Sequence, residues 1–463
     1  MRRHLIYLLA LSCLPPLSAF GAANGEEHSH LKNEELLVGL FDKLHSLETN
    51  RHGKVNIVHI GDSHIQADFF TGAIRQTLQS RFGNGGYGFT FPYSLARTNG
   101  TGTVRYKSNI RWQTSLNSHT NAIKIGLSGI GLQTASKNFY IELEAEDTYS
   151  FNTIKALSPT TEPCFDFSLS IGTNHLASQY VQPEGHASVR YHKVKKGETL
   201  YRIALNYRVS VEALKKANSL VSDVIEIDMP LRIPSRTASA AAGSYPSEEI
   251  TVKRDSLPVE YHQYTAVYRT LQPLRRIYIL PNKTAPVYNL NGFVLENDLP
   301  GLIYHAIGVN GAKTSDFNRH PVFFDQLAVL TPDLIIISLG TNESFGRWIS
   351  IDYMYQLALM IRNIRERTQD VPVLVMSPPP SMLRRNKPNT FIEAYSKALL
   401  ETNEYVIWDL FSEMGGIYAP KDKSYAPLMG KDKIHYTREG YRRQAALFSA
   451  GLLGAYDKYI KTN

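Results

Sequence analysis

Short apolar strands alternate with helical stripes near both ends of this chain, and this alternation constrains its fold more than any other feature. The first strand, Val55 to Ile60, stops at Gly61, and the apolar residues after it recur at helical spacing as far as Phe82. Further strand-like runs occupy Leu302 to Ile307, Leu334 to Ser338, Val373 to Ser377 and Val406 to Asp409. Strands that alternate with helices predict a doubly wound α/β domain around a parallel sheet.

The middle of the chain has a different pattern. From about Thr101 to Arg190 short runs alternate apolar and polar residues, as in Phe139 to Glu144, and Ser, Thr, Gly and Pro turns separate them. Similar runs return at Glu249 to Lys253 and Arg276 to Leu280. This pattern predicts a β-rich, sandwich-like region that interrupts the α/β domain.

The N-terminus is typical of an exported protein. Two arginines are followed by the apolar run Leu5 to Leu11 and then by small residues, which predicts a signal peptide cleaved after Gly21 or Ala23. Lipidation at Cys13 is the alternative. No other segment reaches the length of a membrane span.

The length, net charge and cysteine content of the chain limit its number of domains, its possible partners and its disulfides. The 463 residues exceed what one core organises, so two or three domains are expected. The formal net charge of +8 is spread along the chain, which does not indicate a nucleic-acid partner. Only Cys13 and Cys164 are present, so a chain without its signal peptide forms no internal disulfide. We expect a monomer that requires no metal or other cofactor.

The segment from Tyr191 to Pro234 resembles the LysM domain, a small strand-helix-helix-strand module. The resemblance is carried by Val194 to Leu200, Ile203-Ala204, Tyr207, Val209 to Val211, Leu214, Asn218 and Leu231 to Pro234. From the residues alone, Thr199 is a helix cap, Leu200 belongs to an inward stripe and Asn218 ends the second helix.

The LysM resemblance implies a glycan partner. Members of this family bind glycans built on N-acetylglucosamine, above all peptidoglycan and chitin, in a shallow groove. The resemblance places Gly197, Glu198, Thr199 and Leu200 on one side of the groove, and Asn218 to Val224 on the other.

Four positions of the chain, each a glycine, a polar residue or an Asp/His pair, fall at the ends of strands of the α/β pattern or just before the last helix. Ser63 in Gly61-Asp62-Ser63-His64 opens a helix after the first strand, and Asp432 precedes His435 by three residues before the last helix. Gly311 and Asn342 follow two further strands. Each alone is explained by a helix cap, a turn or the surface, but together they supply a hydroxyl, a base with its carboxylate, and oxyanion donors. Sites in open α/β sheets form beyond the carboxyl ends of strands.

In this order, the four positions resemble the blocks of the SGNH (GDSL-like) hydrolase family. The family implies a three-layer α/β/α fold with a flavodoxin-like parallel sheet. It also implies a catalytic triad of Ser63, Asp432 and His435, with an oxyanion hole formed by Ser63, Gly311 and Asn342. His64, although next to Ser63, is the less favoured base.

Further stretches resemble the branch of this family that contains bacterial peptidoglycan O-acetylesterases. They are Asp68 to Gly72, Arg81 to Gly83, Gly88-Phe89, Trp408-Asp409, Met414 to Gly416 and His435 to Tyr441. The branch implies a secreted serine esterase that removes 6-O-acetyl groups from muramic acid in peptidoglycan, located in the periplasm or cell envelope. A carbohydrate acetylesterase acting on another glycan and a non-catalytic glycan-binding envelope protein are the alternatives.

These interpretations divide the chain into six segments. They are a signal peptide (1–23), the first part of the hydrolase (24–98), the β-rich insertion (99–190), the LysM domain (191–235), a linker with completion of the insertion (236–295) and the second part of the hydrolase (296–463).

Overall fold

The computed structural model describes most of the chain and divides it into two compact units. The described residues are 31–119, 123–171, 190–194, 198, 200–207, 209, 211–218, 220, 225–226, 228–233, 257–368, 371–384 and 387–462. One unit comprises Met1–Ser170 with Arg254–Asn463, and the other comprises Ile171–Lys253. The predicted signal peptide, Cys13 and the strand expected at 249–253 lie outside the described residues.

The described part of the chain contains twenty-two strands. In chain order they are β1 (Leu31–Lys32), β2 (Lys54–Gly61), β3 (Gly88–Thr90), β4 (Val104–Ser108), β5 (Gln113–Leu116), β6 (Ile130–Thr134), β7 (Ile141–Ala145), β8 (Phe151–Leu157), β9 (Phe165–Ser168), β10 (Arg190–Lys193), β11 (Pro230–Ile233), β12 (Val259–His262), β13 (Thr265–Leu274), β14 (Arg276–Pro281), β15 (Tyr288–Leu290), β16 (Gly292–Glu296), β17 (Gly301–Gly308), β18 (Leu334–Ser338), β19 (Val373–Met376), β20 (Met382–Arg384), β21 (Lys387–Pro388) and β22 (Val406–Trp408).

Twelve α-helices are described. They are α1 (Val38–Asn50), α2 (Ser63–Gln66), α3 (Phe69–Phe82), α4 (Leu200–Tyr207), α5 (Val211–Ala217), α6 (Thr314–Asn318), α7 (Pro321–Leu327), α8 (Thr341–Phe345), α9 (Ser350–Arg365), α10 (Thr390–Leu400), α11 (Leu410–Glu413) and α12 (Arg438–Thr462). Short 3₁₀ turns lie at Glu34–Leu37, Asp147–Tyr149, Ala328–Leu330, Gly416–Lys421 and Lys423–Tyr425.

A six-stranded sheet forms the centre of the larger unit, in the order β17-β2-β18-β19-β22-β1. The first five strands are parallel, and β1 pairs antiparallel with β22 at the edge. Apart from that edge strand this is the flavodoxin-like order, in which the chain reverses its direction of growth between β2 and β18. The predicted doubly wound parallel sheet is therefore confirmed.

Apolar residues on the two faces of this sheet pack against different helices. Leu334 and Ile336 belong to a cluster with α1, α3 and α12, whereas Ile335 and Ile337 belong to a cluster with α9 and α10. This alternation follows from the two-residue period of a strand, and it places helices on both faces as a three-layer fold requires.

The β-rich region consists of three antiparallel sheets, which are β12-β13-β8-β16-β3, β4-β7-β14-β9 and β15-β6-β5. Its buried aromatic residues, among them Trp112, Phe139 and Phe165, belong to the same apolar cluster as Ile335 and Ile337 of the central sheet. The β-rich region is thus present as predicted, and it shares one continuous core with the α/β layers.

The last helix is longer than its apolar pattern predicts. It continues past Tyr456 to Thr462 because polar side chains of its final turns bind the N-terminal helical segment. Lys458 pairs with Glu34 at 2.6 Å, and the hydroxyl of Tyr459 donates to Asp42. Of the described helices, none is long and apolar enough to cross a membrane.

The smaller unit has the predicted strand-helix-helix-strand order. Strands β10 and β11 pair antiparallel, with α4 and α5 between them in sequence. The core of this unit is formed by Val194, Leu200, Ile203, Ala204, Leu214, Leu231 and Ile233.

Candidate active site

The carboxyl end of β2 places Ser63 at the surface of the larger unit. Helix α2 begins at Ser63, and Asp62 caps it by accepting a hydrogen bond from the backbone N–H of His64 at 2.9 Å. A Cβ atom on Gly61 would lie 2.3 Å from the side chain of Ile65 and 2.8 Å from the carbonyl oxygen of Ser338. The turn therefore needs glycine at this position so that α2 can fold back against the sheet.

Ser63, His435 and Asp432 form one hydrogen-bonded chain. The hydroxyl oxygen of Ser63 lies 2.9 Å from Nε2 of His435, and Nδ1 of His435 lies 2.7 Å from Oδ2 of Asp432. The other oxygen of Asp432 accepts the backbone N–H groups of Ile434 and His435, both at 3.0 Å. Residues 372 positions apart in sequence are thus brought into the geometry of a nucleophile, a base and an orienting carboxylate.

The contact between Asp432 and His435 makes the imidazole of His435 a better proton acceptor. The hydrogen bond with Asp432 raises the pKa of His435, and burial opposes the rise only in part. Burial by itself would raise the pKa of Asp432, but the hydrogen bonds from His435 and from the backbone hold that pKa at about 2. Asp432 is therefore ionised over the physiological range, and it stabilises the imidazolium form of His435.

The loop after β17 brings Gly311 beside α2. Gly308 and Ser338 both pair in register with Gly61, so the loops that follow the three neighbouring strands emerge together. Gly311 has a φ of +79°, a left-handed conformation that favours glycine. A Cβ on Gly308 would lie 2.2 Å from the backbone nitrogen of Gln66, so this loop approaches α2 very closely.

Asn342, in the first turn of α8, joins this loop to the Ser63 turn. Its side-chain amide donates to Oδ2 of Asp62 and to the carbonyl oxygen of Ala312, both at 3.0 Å. A substrate oxygen that receives a hydrogen bond from Asn342 must therefore replace one of these two acceptors. Burial raises the pKa of Asp62 to about 7, although its hydrogen bond from the backbone of His64 acts in the opposite direction.

Gln66, which the sequence interpretation did not single out, holds the same loop. Its Oε1 accepts the backbone N–H of Asn310 at 2.7 Å, and its Nε2 donates to the carbonyl oxygen of Asn99 at 2.7 Å. The side chain of Asn310 also donates to Oδ1 of Asn99 at 2.7 Å. The only sign of this role in the sequence is that Gln66 follows Ser63 by three residues, at the end of a four-residue helix.

His64 points away from the hydroxyl of Ser63. Its Nδ1 lies 3.0 Å from the hydroxyl of Tyr441, and burial lowers its pKa to about 3. Its ring packs against that of His435, with 5.2 Å between centroids. The neutral, buried ring of His64 therefore helps to hold His435 in the orientation in which its Nε2 faces Ser63.

The predicted LysM groove is described only in part. Gly197, Thr199 and residues 219 and 221–224 lie outside the described residues. Leu200 is buried in the small core, and Glu198 binds Nε2 of His192 at 2.7 Å. The side chain of Asn218 bonds the backbone N–H of Arg232 at 2.6 Å and so ties α5 to β11.

No cluster of metal-binding side chains occurs in the described part of the chain: it holds no group of three His, Cys, Asp or Glu residues that could hold a metal ion.

Two protein-family models match the chain. Residues 284–443 match the GDSL-like Lipase/Acylhydrolase family, and residues 192–234 match the LysM domain. The first segment contains Gly311, Asn342, Asp432 and His435, whereas Ser63 lies before the β-rich insertion. Both family resemblances inferred from the sequence are confirmed. A search of curated protein sequences finds no match.

A solved structure described as a peptidoglycan O-acetylesterase in action shares the fold, with a TM-score of 0.62 at 19% identity over 93% of this chain and 99% of that chain. Two smaller structures align with 33% of this chain and 73% of their own length, each with a TM-score of 0.28. They are a putative platelet activating factor from Streptococcus pneumonia, at 16% identity, and an acetyl-xylooligosaccharide esterase from Geobacillus Stearmophilus, at 15%.

Proposed function

We propose that this chain, which carries a GDSL-like hydrolase domain and a LysM domain, is a serine acetylesterase of the bacterial cell envelope that removes O-acetyl groups from peptidoglycan. The observation that carries the proposal is the continuous hydrogen-bonded chain from Ser63 through His435 to Asp432. Acetylated muramic acid is the proposed substrate residue.

In the proposed mechanism, Nε2 of His435 takes the proton of Ser63 while the hydroxyl oxygen attacks the acetyl carbonyl carbon. Asp432 keeps the imidazole in the tautomer whose Nε2 is free to accept. The tetrahedral intermediate carries its charge on the former carbonyl oxygen. The backbone N–H groups of Ser63 and Gly311 and the amide of Asn342 are the proposed donors to that oxygen.

The intermediate collapses when the bond to the sugar oxygen breaks and His435 returns the proton to that oxygen. The deacetylated glycan leaves, and Ser63 remains acetylated. Water then attacks the acetyl group with His435 again accepting a proton, and acetate departs as the proton returns to Ser63.

Two observations support a glycan of the cell wall as the substrate. The LysM family binds glycans that contain N-acetylglucosamine, and peptidoglycan is one of them. The solved structure that aligns with nearly the whole chain is described as a peptidoglycan O-acetylesterase. Both are consistent with an exported enzyme whose LysM unit keeps it on the wall.

The test is acetate release from O-acetylated peptidoglycan and from acetylated xylan by the full chain and by Ser63→Ala. We expect release from peptidoglycan by the wild type and a loss of about three orders of magnitude or more in Ser63→Ala, because the nucleophile is removed. Ser80→Ala, an exposed serine of α3, is the matched control.

Different results would contradict the proposed mechanism and the proposed substrate. Equal acetate release by the wild type and Ser63→Ala would contradict the mechanism. Release from xylan alone would contradict the substrate and would favour an esterase of another acetylated glycan.

A further inference from the structure

A cleft of about 730 Å³ lies in the larger unit, lined by the start of α3, the start of α12 and two loops of the β-rich region. This volume is in the range of small-molecule binding sites. Residues from the α/β layers and from the β-rich loops both line it, and they include Asp68, Phe69, Arg438, Thr101, Glu146 and Tyr149.

Both chain segments that carry the proposed triad also lead into this cleft. Ala67, which lines it, immediately follows α2, and Arg438 opens α12 three residues after His435. The cleft therefore begins within one helical turn of the residues that carry the chemistry.

A row of ring contacts connects the cleft with His435. The guanidinium of Arg438 lies 4.9 Å from the ring centroid of Phe69, and that ring stacks on Tyr441 at 6.4 Å. Tyr441 contacts the ring of His64 at 5.8 Å, and His64 packs on His435 at 5.2 Å. A ligand bound to Arg438 would thus be connected with His435 through four successive ring contacts.

Arg75 and Arg438 both line the cleft, but they differ in whether an acidic side chain already pairs with them. Arg75 is buried, and Asp68 accepts two hydrogen bonds from its guanidinium at 2.9 and 3.1 Å. Arg438 is exposed and has no ion-pair partner among the residues that the structure describes. Arg438 therefore remains free to bind an anionic group of a ligand, and a carboxylate can engage a guanidinium through two parallel hydrogen bonds.

The other lining groups suit a carbohydrate. The partly exposed Tyr149 provides an aromatic surface, whereas Phe69, a residue that is 40% exposed, has Arg438 over its ring and Tyr441 stacked on it. Thr101 and Thr103 carry hydroxyl groups at the cleft, and Gly102 leaves the backbone open to close approach, since nothing lies within 4 Å of a Cβ atom placed there. The carboxylate of Glu146, which has no ion-pair partner in the described part of the chain, lies on a β-rich loop. An anionic part of the ligand is therefore favoured only on the Arg438 side.

We propose that this cleft binds the carboxylate-bearing part of a muramyl residue, with Arg438 pairing with a carboxylate of its stem peptide. The sugar is seated against Tyr149, which lines the same cleft. This inference rests on the proposed function and extends it, because a neutral acetylated glycan carries no carboxylate for Arg438. The cleft would then select muramic acid over uncharged acetylated sugars.

The test is inhibition of p-nitrophenyl acetate hydrolysis by N-acetylmuramyl dipeptide, which is anionic, and by di-N-acetylchitobiose, which is neutral. A small ester reports only on the active site, so ligand held by the LysM unit does not contribute. We expect inhibition by the muramyl dipeptide, and an inhibition constant raised about tenfold or more in Arg438→Gln, as for loss of a charge-assisted hydrogen bond.

Arg442→Gln is the matched control, since it removes the same charge from an exposed position one turn further along α12. Its inhibition constant should stay within about twofold of that of the wild type. The inference is overturned if the muramyl dipeptide does not inhibit the wild type, if Arg438→Gln leaves its inhibition constant unchanged, or if di-N-acetylchitobiose inhibits equally well. Acetate release from peptidoglycan is measured separately, so failure of the proposed function remains distinguishable.

Discussion

His435 uses both ring nitrogens at once, one toward Ser63 and the other toward Asp432. Nδ1 must donate to the carboxylate for Nε2 to be free to accept the proton of Ser63. Asp432 therefore has two separate effects, since it selects this tautomer and it also raises the pKa of His435.

We expect Asp432→Asn to change both the rate and its pH dependence. Loss of the tautomer preference should lower kcat by about three orders of magnitude or more. The base acts when neutral, so activity rises as pH passes upward through the pKa of His435. Because the substitution removes the largest cause of the raised pKa, the acidic limb of kcat/KM should move to lower pH. An unmoved limb would contradict this assignment.

The residues of the proposed triad can be named from the sequence, whereas the residues that contact and support them cannot. Ser63, Asp432 and His435 belong to short motifs whose order along the chain is informative. Asp62, Gln66 and Tyr441 contribute through contacts with residues far away in sequence, and no local pattern marks those contacts. Asp62, for example, holds Asn342 across 280 positions.

At the scale of elements, the loop after β17 depends on hydrogen bonds from its neighbours rather than on its own sequence. Gln66 holds it through the backbone N–H of Asn310, and Asn342 holds it through the carbonyl oxygen of Ala312. These two contacts lie on either side of Gly311, whose backbone N–H is a proposed oxyanion donor.

We expect Gln66→Ala to lower kcat for a small acetyl ester by about one to two orders of magnitude, because Gly311 is no longer held in position to donate. Loss of buried hydrogen bonds should also reduce stability. The affinity for the ground-state ester should change less than kcat, since the oxyanion forms only after attack.

Gln326→Ala is the matched control for this substitution. Gln326 is equally buried, accepts the backbone N–H of Leu127 and donates to the carbonyl oxygen of Ser158, neither of which belongs to the Ser63 turn or to the loop after β17. Its loss should lower the melting temperature but leave kcat close to that of the wild type. If both variants lose kcat in proportion to stability, Gln66 has only a structural role.

Whether a segment forms a strand or a helix could be predicted wherever its apolar pattern is strong. The strands of the central sheet carry continuous Val, Ile and Leu runs because both of their faces are buried. The edge strand β1 has only two residues and carries no such signal. Its pairing with β22 is decided by tertiary contacts, such as the side chain of Asn33 donating to the carbonyl oxygen of Tyr405 at 2.8 Å.

At the scale of the molecule, the proposed triad and the LysM domain belong to different compact units. The unit of Met1–Ser170 and Arg254–Asn463 contains every residue of the proposed mechanism, whereas Ile171–Lys253 contains the LysM domain. The LysM domain was predictable because its motif is contiguous, whereas the hydrolase had to be recognised from blocks that an insertion separates.

Deletion of Ile171–Lys253 as one segment should separate ester hydrolysis from binding to peptidoglycan. We expect kcat/KM for a small acetyl ester to remain near the wild-type value, since the triad lies in the retained unit. Co-sedimentation with insoluble peptidoglycan should fall, and acetate release from the insoluble polymer should fall with it through loss of effective concentration.

Soluble acetylated muropeptides provide the control for this deletion, because their hydrolysis does not depend on attachment to a surface. Unchanged co-sedimentation of the deletion variant would show that the LysM unit does not hold the protein on peptidoglycan.

The hydrogen bond between Ser63 and His435 spans 372 positions of the chain, and this has a consequence for biosynthesis. The serine emerges from the ribosome long before β17 and β18, the two strands that flank β2, and its base comes only just before the final helix. Pairing over such sequence separations slows folding because a long loop must close first. A nascent chain that has not yet reached His435 therefore lacks the proposed base, even though the proposed nucleophile is already present.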